Sequence, residues 1–263
     1  MIMLNLMFRV AGVAALLTGL ASAAPADTIN LRADNWCPYN CDPRSDRQGL
    51  LVDIARAILV PAGHGVDYRI MPWNRALAEV RKGLIQGVIG AQRSEAPDLI
   101  YGDVPLAYDD SGFAVKKGTD FRYRGPSSLD PYRIAVIADY NYDGGDEIDA
   151  YLKDSAGDKN HIQSNTGDDA GAANLRKLMS GRVDVAMDSA AVLTYLVNQL
   201  GLADKVDIVP LGRPTAIYIA FSPAAPRAGE WAALLSSGIE TLRQRGELGT
   251  ILARYGLRDG RMP

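Results

Sequence analysis

Residues Gly49 to Ala91 read G-L-L-V-D-I-A-R-A-I-L-V-P-A-G-H-G-V-D-Y-R-I-M-P-W-N-R-A-L-A-E-V-R-K-G-L-I-Q-G-V-I-G-A. Leu51, Ile54, Ala55, Ile58 and Leu59 recur three and four residues apart, with Asp53 and Arg56 off their face. That spacing predicts an amphipathic helix. Pro61-Ala62-Gly63 ends it. Val66 to Met71 alternates apolar and polar residues and predicts a strand. Pro72-Trp73-Asn74 then opens a second helix, Arg75 to Lys82, stopped by Gly83. Leu84 to Ala91 is mostly apolar and predicts a buried parallel strand. With the alternating run Thr28 to Arg32 upstream, the order is strand-helix-strand-helix-strand, the pattern of a doubly wound α/β unit.

Between Arg32 and Gly49 lies A-D-N-W-C-P-Y-N-C, Ala33 to Cys41. Pro38 has no N–H for a sheet ladder, so the chain leaves the first strand here. Trp36 and Tyr39 follow that strand's end, where a ligand wall would stand; loop or core packing is the alternative. Further upstream, Arg9, the apolar run Val10 to Leu20 and Ala21-Ser22-Ala23 fit an export signal, too short to span a bilayer, with a mature start near Ala24. Residues 1–23 carry a single charge, that of Arg9. Export to the periplasm places Cys37 and Cys41, the chain's two cysteines, in an oxidising compartment and predicts one disulfide. A metal would need more ligands than two thiolates, and His64 and His161 lie far away in sequence.

Downstream, strand-like pieces flank Asp109-Asp110-Ser111-Gly112, and Lys116-Lys117-Gly118-Thr119 marks a change in composition. A second α/β unit begins at Tyr132 with the buried strand R-I-A-V-I-A, followed by a turn over Asp139 to Gly145 and a helix from Asp146 to about Lys153. The stretch from Asp154 to Gly171 is polar and carries no clear period. After it come a helix (Asn174 to Met179), a strand (Val183 to Met187), a helix (Ala190 to Leu200), two strands (Val206 to Val209, Ala216 to Phe221) and a helical C-terminus. Two α/β units whose last strands and helices need a sheet to cover suggest a chain that leaves lobe one near Lys116 and returns near Gly212. The expected division is 1–23 signal peptide, 24–115 with 213–263 as lobe one, and 116–212 as lobe two. Two crossings form a hinge, and the carboxyl ends of both sheets face one cleft.

Charged residues make up 22% and the net charge is −3, which gives no electrostatic case for nucleic acid as a partner. The chain contains no G-x-S-x-G, no Gly-rich phosphate loop, no H-E-x-x-H and no metal-ligand spacing. No catalytic residue, metal or cofactor is therefore assigned.

Several pieces occur in a telling order. They are the aromatic loop Trp36 to Tyr39, G-L-L-V-D-I-A-R-A-I, P-W-N-R-A-L-A-E-V-R-K-G, G-R-V-D-V-A-M-D ending at Asp188, F-S-P, and R-Q-R-G-E-L-G-T-I-L-A-R-Y-G-L. In that order the chain resembles the type II periplasmic solute-binding proteins, family 3, which serve polar amino acid ABC transporters. The resemblance implies a two-lobed α/β fold and a monomer that hands a small solute to an inner-membrane ABC permease. It also places Asp188 where the family meets a ligand's amino group. The family's T-x-x-E-R after the third strand is replaced by G-A-Q-R-S-E-A-P, so Arg93 comes early and no threonine precedes it.

The candidate ligand contacts are Trp36, Tyr39, Trp73, Arg75, Arg93, Tyr140, Tyr142 and Asp188. Arg93 follows a strand and could hold a carboxylate through two parallel hydrogen bonds, or pair with Glu95 or Asp98. Trp73 and Arg75 flank a helix start, where core packing and a solvated face are the alternatives. Backbone N–H groups at the helix start after Asp139 to Gly145 could bind an anionic group, with Tyr140 and Tyr142 closing over it; turning and capping are the alternative for these Gly and Asp residues. For Asp188, capping the following helix is the competing role. An amino acid or related compound is the expected solute. Two alternatives remain: an enzyme resembling the cyclohexadienyl dehydratases, with Glu95 or Asp188 as acid or base, and an accessory or sensory binding protein.

Overall fold

The computed structural model describes residues 27–167 and 169–259. The expected signal segment lies outside the described residues. The stretch that decides the fold forms as the spacing predicts: β1 (Thr28–Ala33), α1 (Leu50–Leu59), β2 (Gly65–Ile70), α2 (Trp73–Arg81) and β3 (Gly87–Ala91). α1 buries Leu51, Ile54, Ala55, Ile58 and Leu59, the stripe read from the sequence. β3 is shorter than expected. Leu84 is exposed in the turn before it, and Gln86 turns its Oε1 to the Asn30 backbone N–H at 3.1 Å.

The first sheet runs β2-β1-β3-β11-β4, with β5 also pairing β11. Here β4 is Ile100–Tyr101, β5 Ala107–Asp109 and β11 Thr215–Phe221. The first three strands are parallel and β11 is antiparallel to β3. The second sheet runs β10-β6-β9-β7-β8. Its strands are β6 (Ser111–Lys116), β7 (Ile134–Ile137), β8 (Ile162–Asn165), β9 (Val185–Ser189) and β10 (Val206–Pro210). Helices α3 (Glu147–Ser155), α4 (Ala170–Met179) and α5 (Ala190–Gln199) belong to this lobe. α6 (Ala228–Gln244) and α7 (Glu247–Arg254) return to lobe one, where Trp231, Ile239, Leu248 and Leu252 join the α1 core. Ile29 and Leu31 at its centre are fully buried; each such side chain contributes about 1.5–3 kcal/mol.

The first crossing lies at Asp110, earlier than the expected boundary at Lys116, because β6 is hydrogen-bonded to β9 and β10 and so belongs to lobe two. The return falls at Leu211 to Pro214, between β10 and β11. Asp110 ties the two crossings together: its carboxylate accepts the Gly212 and Arg213 backbone N–H groups, both at 3.0 Å. Within the unassigned polar stretch, β8 is a short strand on the edge of its sheet, and α4 begins at Ala170 rather than Asn174. A four-residue edge strand, I-Q-S-N, has too few apolar positions to show a period.

Candidate functional site

The loop after β1 is held from both ends. Trp36 and Asn40 exchange backbone hydrogen bonds at 2.9 and 3.0 Å, and Cys37 is disulfide-bonded to Cys41, as expected. The peptide bond between Cys37 and Pro38 is cis. The loop's carbonyls cap α1: Leu50 N–H donates to Pro38 O at 2.9 Å and Leu51 N–H to Tyr39 O at 3.1 Å. These bonds satisfy helix-start donors that no side chain caps. Gly49 makes the approach possible, for its φ is 120° and a Cβ there would lie 2.3 Å from Tyr39 O. The outcome is a Trp36 ring fixed over β3, where Gly90, at φ 92°, leaves room for it.

Across the cleft, β9 presents Asp188. Trp36 Nε1 donates to Asp188 Oδ1 at 3.1 Å, and the Ser189 backbone N–H donates to the same oxygen at 2.7 Å. Ser189, not Asp188, caps α5, its Oγ accepting from Val192 N–H at 3.3 Å. Asp188 is thereby left facing the other lobe. Other bonds span the lobes, among them one from the Tyr140 hydroxyl to Asp34 and one from Asn74 Nδ2 to Asp139 Oδ2 at 2.5 Å. Asp139 has a left-handed φ of 61°, which its short polar side chain tolerates better than most.

Two small cavities of about 30 Å³ each lie along this seam and share Asp34 and Tyr140. One is lined by Trp36, Trp73, Gln92, Glu95 and Asn141 as well, the other by Asp188 and the first turn of α4. Trp73 Nε1 donates to Glu95 Oε1 at 2.6 Å. Burial pushes the Glu95 carboxyl up to about 7, against the opposing effect of that indole. Burial likewise raises Asp188 to about 7, with the Ser189 N–H and the Trp36 indole opposing. Behind them Asp109, also raised by burial, to about 6, accepts from the Ser189 hydroxyl.

Of the expected contacts, the structure brings Trp36, Trp73, Tyr140 and Asp188 to this seam. Tyr39 stands behind Trp36, with ring centroids 4.5 Å apart, and its hydroxyl donates to Tyr108 O at 3.3 Å. Tyr142 is buried in lobe two, its hydroxyl accepting from Ile137 N–H at 2.7 Å. Arg75 pairs with Glu79 at 2.7 Å on the exposed side of α2. Arg93 lines neither cavity. Its guanidinium lies 5.0 Å over Tyr101 and 4.9 Å over Tyr218 and donates to Gly102 O at 2.5 Å. In this arrangement the Arg93 guanidinium faces the flank of lobe one. Arg93 does not pair with Glu95 or Asp98, which is held by Arg81 at 2.8 Å.

The sequence reading passed over Asp34, Gln92 and Asn141. Asp34 sits two residues from Trp36, and Gln92 precedes Arg93. No motif marks either residue, since the strand's carboxyl end is a position and not a pattern.

No family model matches the chain, and no curated protein matches it in sequence. Solved structures do match. A histidine kinase sensor domain with similarity to periplasmic binding proteins aligns with TM-score 0.68 at 20% identity, over 87% of this chain and 95% of that one. An ancestral arginine-binding protein bound to arginine aligns with TM-score 0.69 at 19% identity, over 87% and 97%. The ancestral amino acid-binding protein AncCDT-1, a precursor of cyclohexadienyl dehydratase, aligns with TM-score 0.66 at 16% identity, over 87% and 95%. The chain has the two-lobed fold of the type II periplasmic binding proteins.

Proposed function

We propose that this protein is a periplasmic solute-binding protein that captures a small polar solute between its lobes and delivers it to an inner-membrane ABC permease. The observation that carries this reading is the seam itself. Aromatic and acidic side chains from both lobes meet at one place, around Trp36 and Asp188, at the carboxyl ends of β1 and β9. A solute that replaces the interlobe bonds can hold the lobes together, in proportion to its preference for the closed state. Each cavity is about 30 Å³, far smaller than a typical solute pocket, so a solute held at this place needs the lobes to part around it. The paired crossings tied at Asp110 are where they would bend.

A thermal-shift screen of the mature protein against amino acids, amines, organic acids and sugars tests this. A solute at a thousand times its dissociation constant stabilises by about 4 kcal/mol, roughly 10 °C at this size. No shift with any solute class would contradict the reading.

A second reading, an enzyme on this fold, is favoured by one feature: Glu95, a carboxyl raised to about 7 beside a cavity, which suits proton transfer at neutral pH. Turnover of prephenate or arogenate by the purified protein would establish it, and loss of that turnover in Glu95→Gln would assign the residue.

A further inference from the structure

We propose that the solute is an organic cation that carries N–H donors and no carboxylate, its charged group held between Trp36, Trp73 and Tyr140. This rests on the solute-binding reading and narrows it.

Donors and acceptors at the seam are out of balance. Three ring donors at the seam are spent on the protein's own carboxyls: the Trp36 indole on Asp188, the Trp73 indole on Glu95 and the Tyr140 hydroxyl on Asp34. Acceptors remain. Gln92 lines the cavity at 8% exposure, and its Oε1 is buried with no hydrogen-bond partner. A buried orphan acceptor calls for a donor from the ligand. Among the described residues, no lysine or arginine pairs with Glu95, Asp109 or Asp188. Arg81 and Arg93, the arginines nearest Glu95 in sequence, are engaged by Asp98 and by Gly102 O.

A carboxylate has no good seat here. It would meet the carboxyls of Asp34, Glu95 and Asp188 in a poorly solvated place, with repulsion that grows as Glu95 and Asp188 ionise. The first turn of α4 is an anion-favouring feature at the seam. There a Cβ on Gly171 would lie 2.9 Å from Asp188 Oδ2, so the protein's own carboxylate already sits against that turn. Three aromatic rings line the first cavity, and aromatic faces attract ammonium and guanidinium groups. Primary amines and guanidines supply both the charge and the donors; quaternary ammonium groups supply charge alone.

Matched pairs test the inference by calorimetric titration of the mature protein. Agmatine against arginine, putrescine against ornithine, and cadaverine against lysine differ only by a carboxylate. The decarboxylated member of at least one pair is expected to bind roughly tenfold tighter or better, as one repelled charge in a desolvated site implies. Glu95→Gln and Gln92→Leu should each weaken that binding by roughly tenfold, with the far-ultraviolet spectrum unchanged. Equal or tighter binding of the amino acids would overturn the cation-only class and leave the solute-binding reading standing. Binding of choline in preference to every primary amine would overturn the donor requirement. No binding by any amine, alongside a shift with a sugar or organic acid, would overturn the inference alone; silence across all classes would remove both readings.

Discussion

The carboxyl ends of β3 and β9 look equivalent in the sequence: each is the end of a buried strand, each followed by a charged or polar turn. They do different work. At β9, Asp188 faces the opposite lobe and accepts the Trp36 indole, while its neighbour Ser189 turns back to cap α5. At β3, Gln92 faces the cavity and Arg93 turns to the flank of lobe one, stacked between Tyr101 and Tyr218. Successive residues leave a strand on opposite sides, so a shift of one position decides which of two neighbours reaches a ligand. A charged residue at a strand end therefore marks a place and not a role.

Acidity at the seam should respond to pH most visibly. Asp109, Asp188 and Glu95 have carboxyls raised to about 6, 7 and 7. Asp34 and Asp109 face Asp188, while Asp149 and Arg81 bear on Glu95. Between the ordinary carboxyl range and pH 7 the folded protein holds more protons than the unfolded chain, so stability falls as pH rises through that window. The melting temperature of the free protein should drop by several degrees from pH 5 to pH 8. Stabilisation by a bound amine should grow over the same interval, as the carboxyls ionise. A melting temperature that rises with pH would remove the acidic seam from the account.

The loop that carries Trp36 offers the next test. Gly49→Ala forces a Cβ against Tyr39 O at a φ that only glycine adopts readily. It should cost about 3 kcal/mol, measured by urea unfolding. Trp36→Phe keeps a ring but removes the donor to Asp188, and should weaken solute binding by roughly tenfold with little change in fold. Ser189→Ala removes the α5 cap and should cost about 1 kcal/mol of stability. Its effect on affinity should be smaller than that of Trp36→Phe, because the cap stands behind the cleft and not in it.

Much of the architecture was legible in the residues. The α1 stripe and the breaks at Gly63 and Gly83 follow from periodicity and turn chemistry. The first crossing was less so. Ser111 to Lys116 is an apolar strand that either sheet could accept, and pairing with β9 and β10 settles it. In the site, Trp36 and Asp188 were legible from position; Arg93 was not, because its partners Tyr101 and Tyr218 come from β4 and β11, distant strands brought together only by the fold. Cys37 and Cys41 were legible as a disulfide, and the structure adds what the loop does: its backbone carbonyls start α1 and hold the Trp36 ring over β3.

The most direct measurement of the account is a paired titration, by calorimetry, of whichever solute stabilises the protein against two variants, Asp188→Asn and Arg93→Gln. Asp188→Asn should weaken binding about a hundredfold, since it removes a buried, hydrogen-bonded charge from the cleft, while Arg93→Gln should leave affinity within about threefold of the parent, because its guanidinium is engaged on lobe one. The reverse order, with Arg93→Gln abolishing binding and Asp188→Asn sparing it, would contradict the account at its centre.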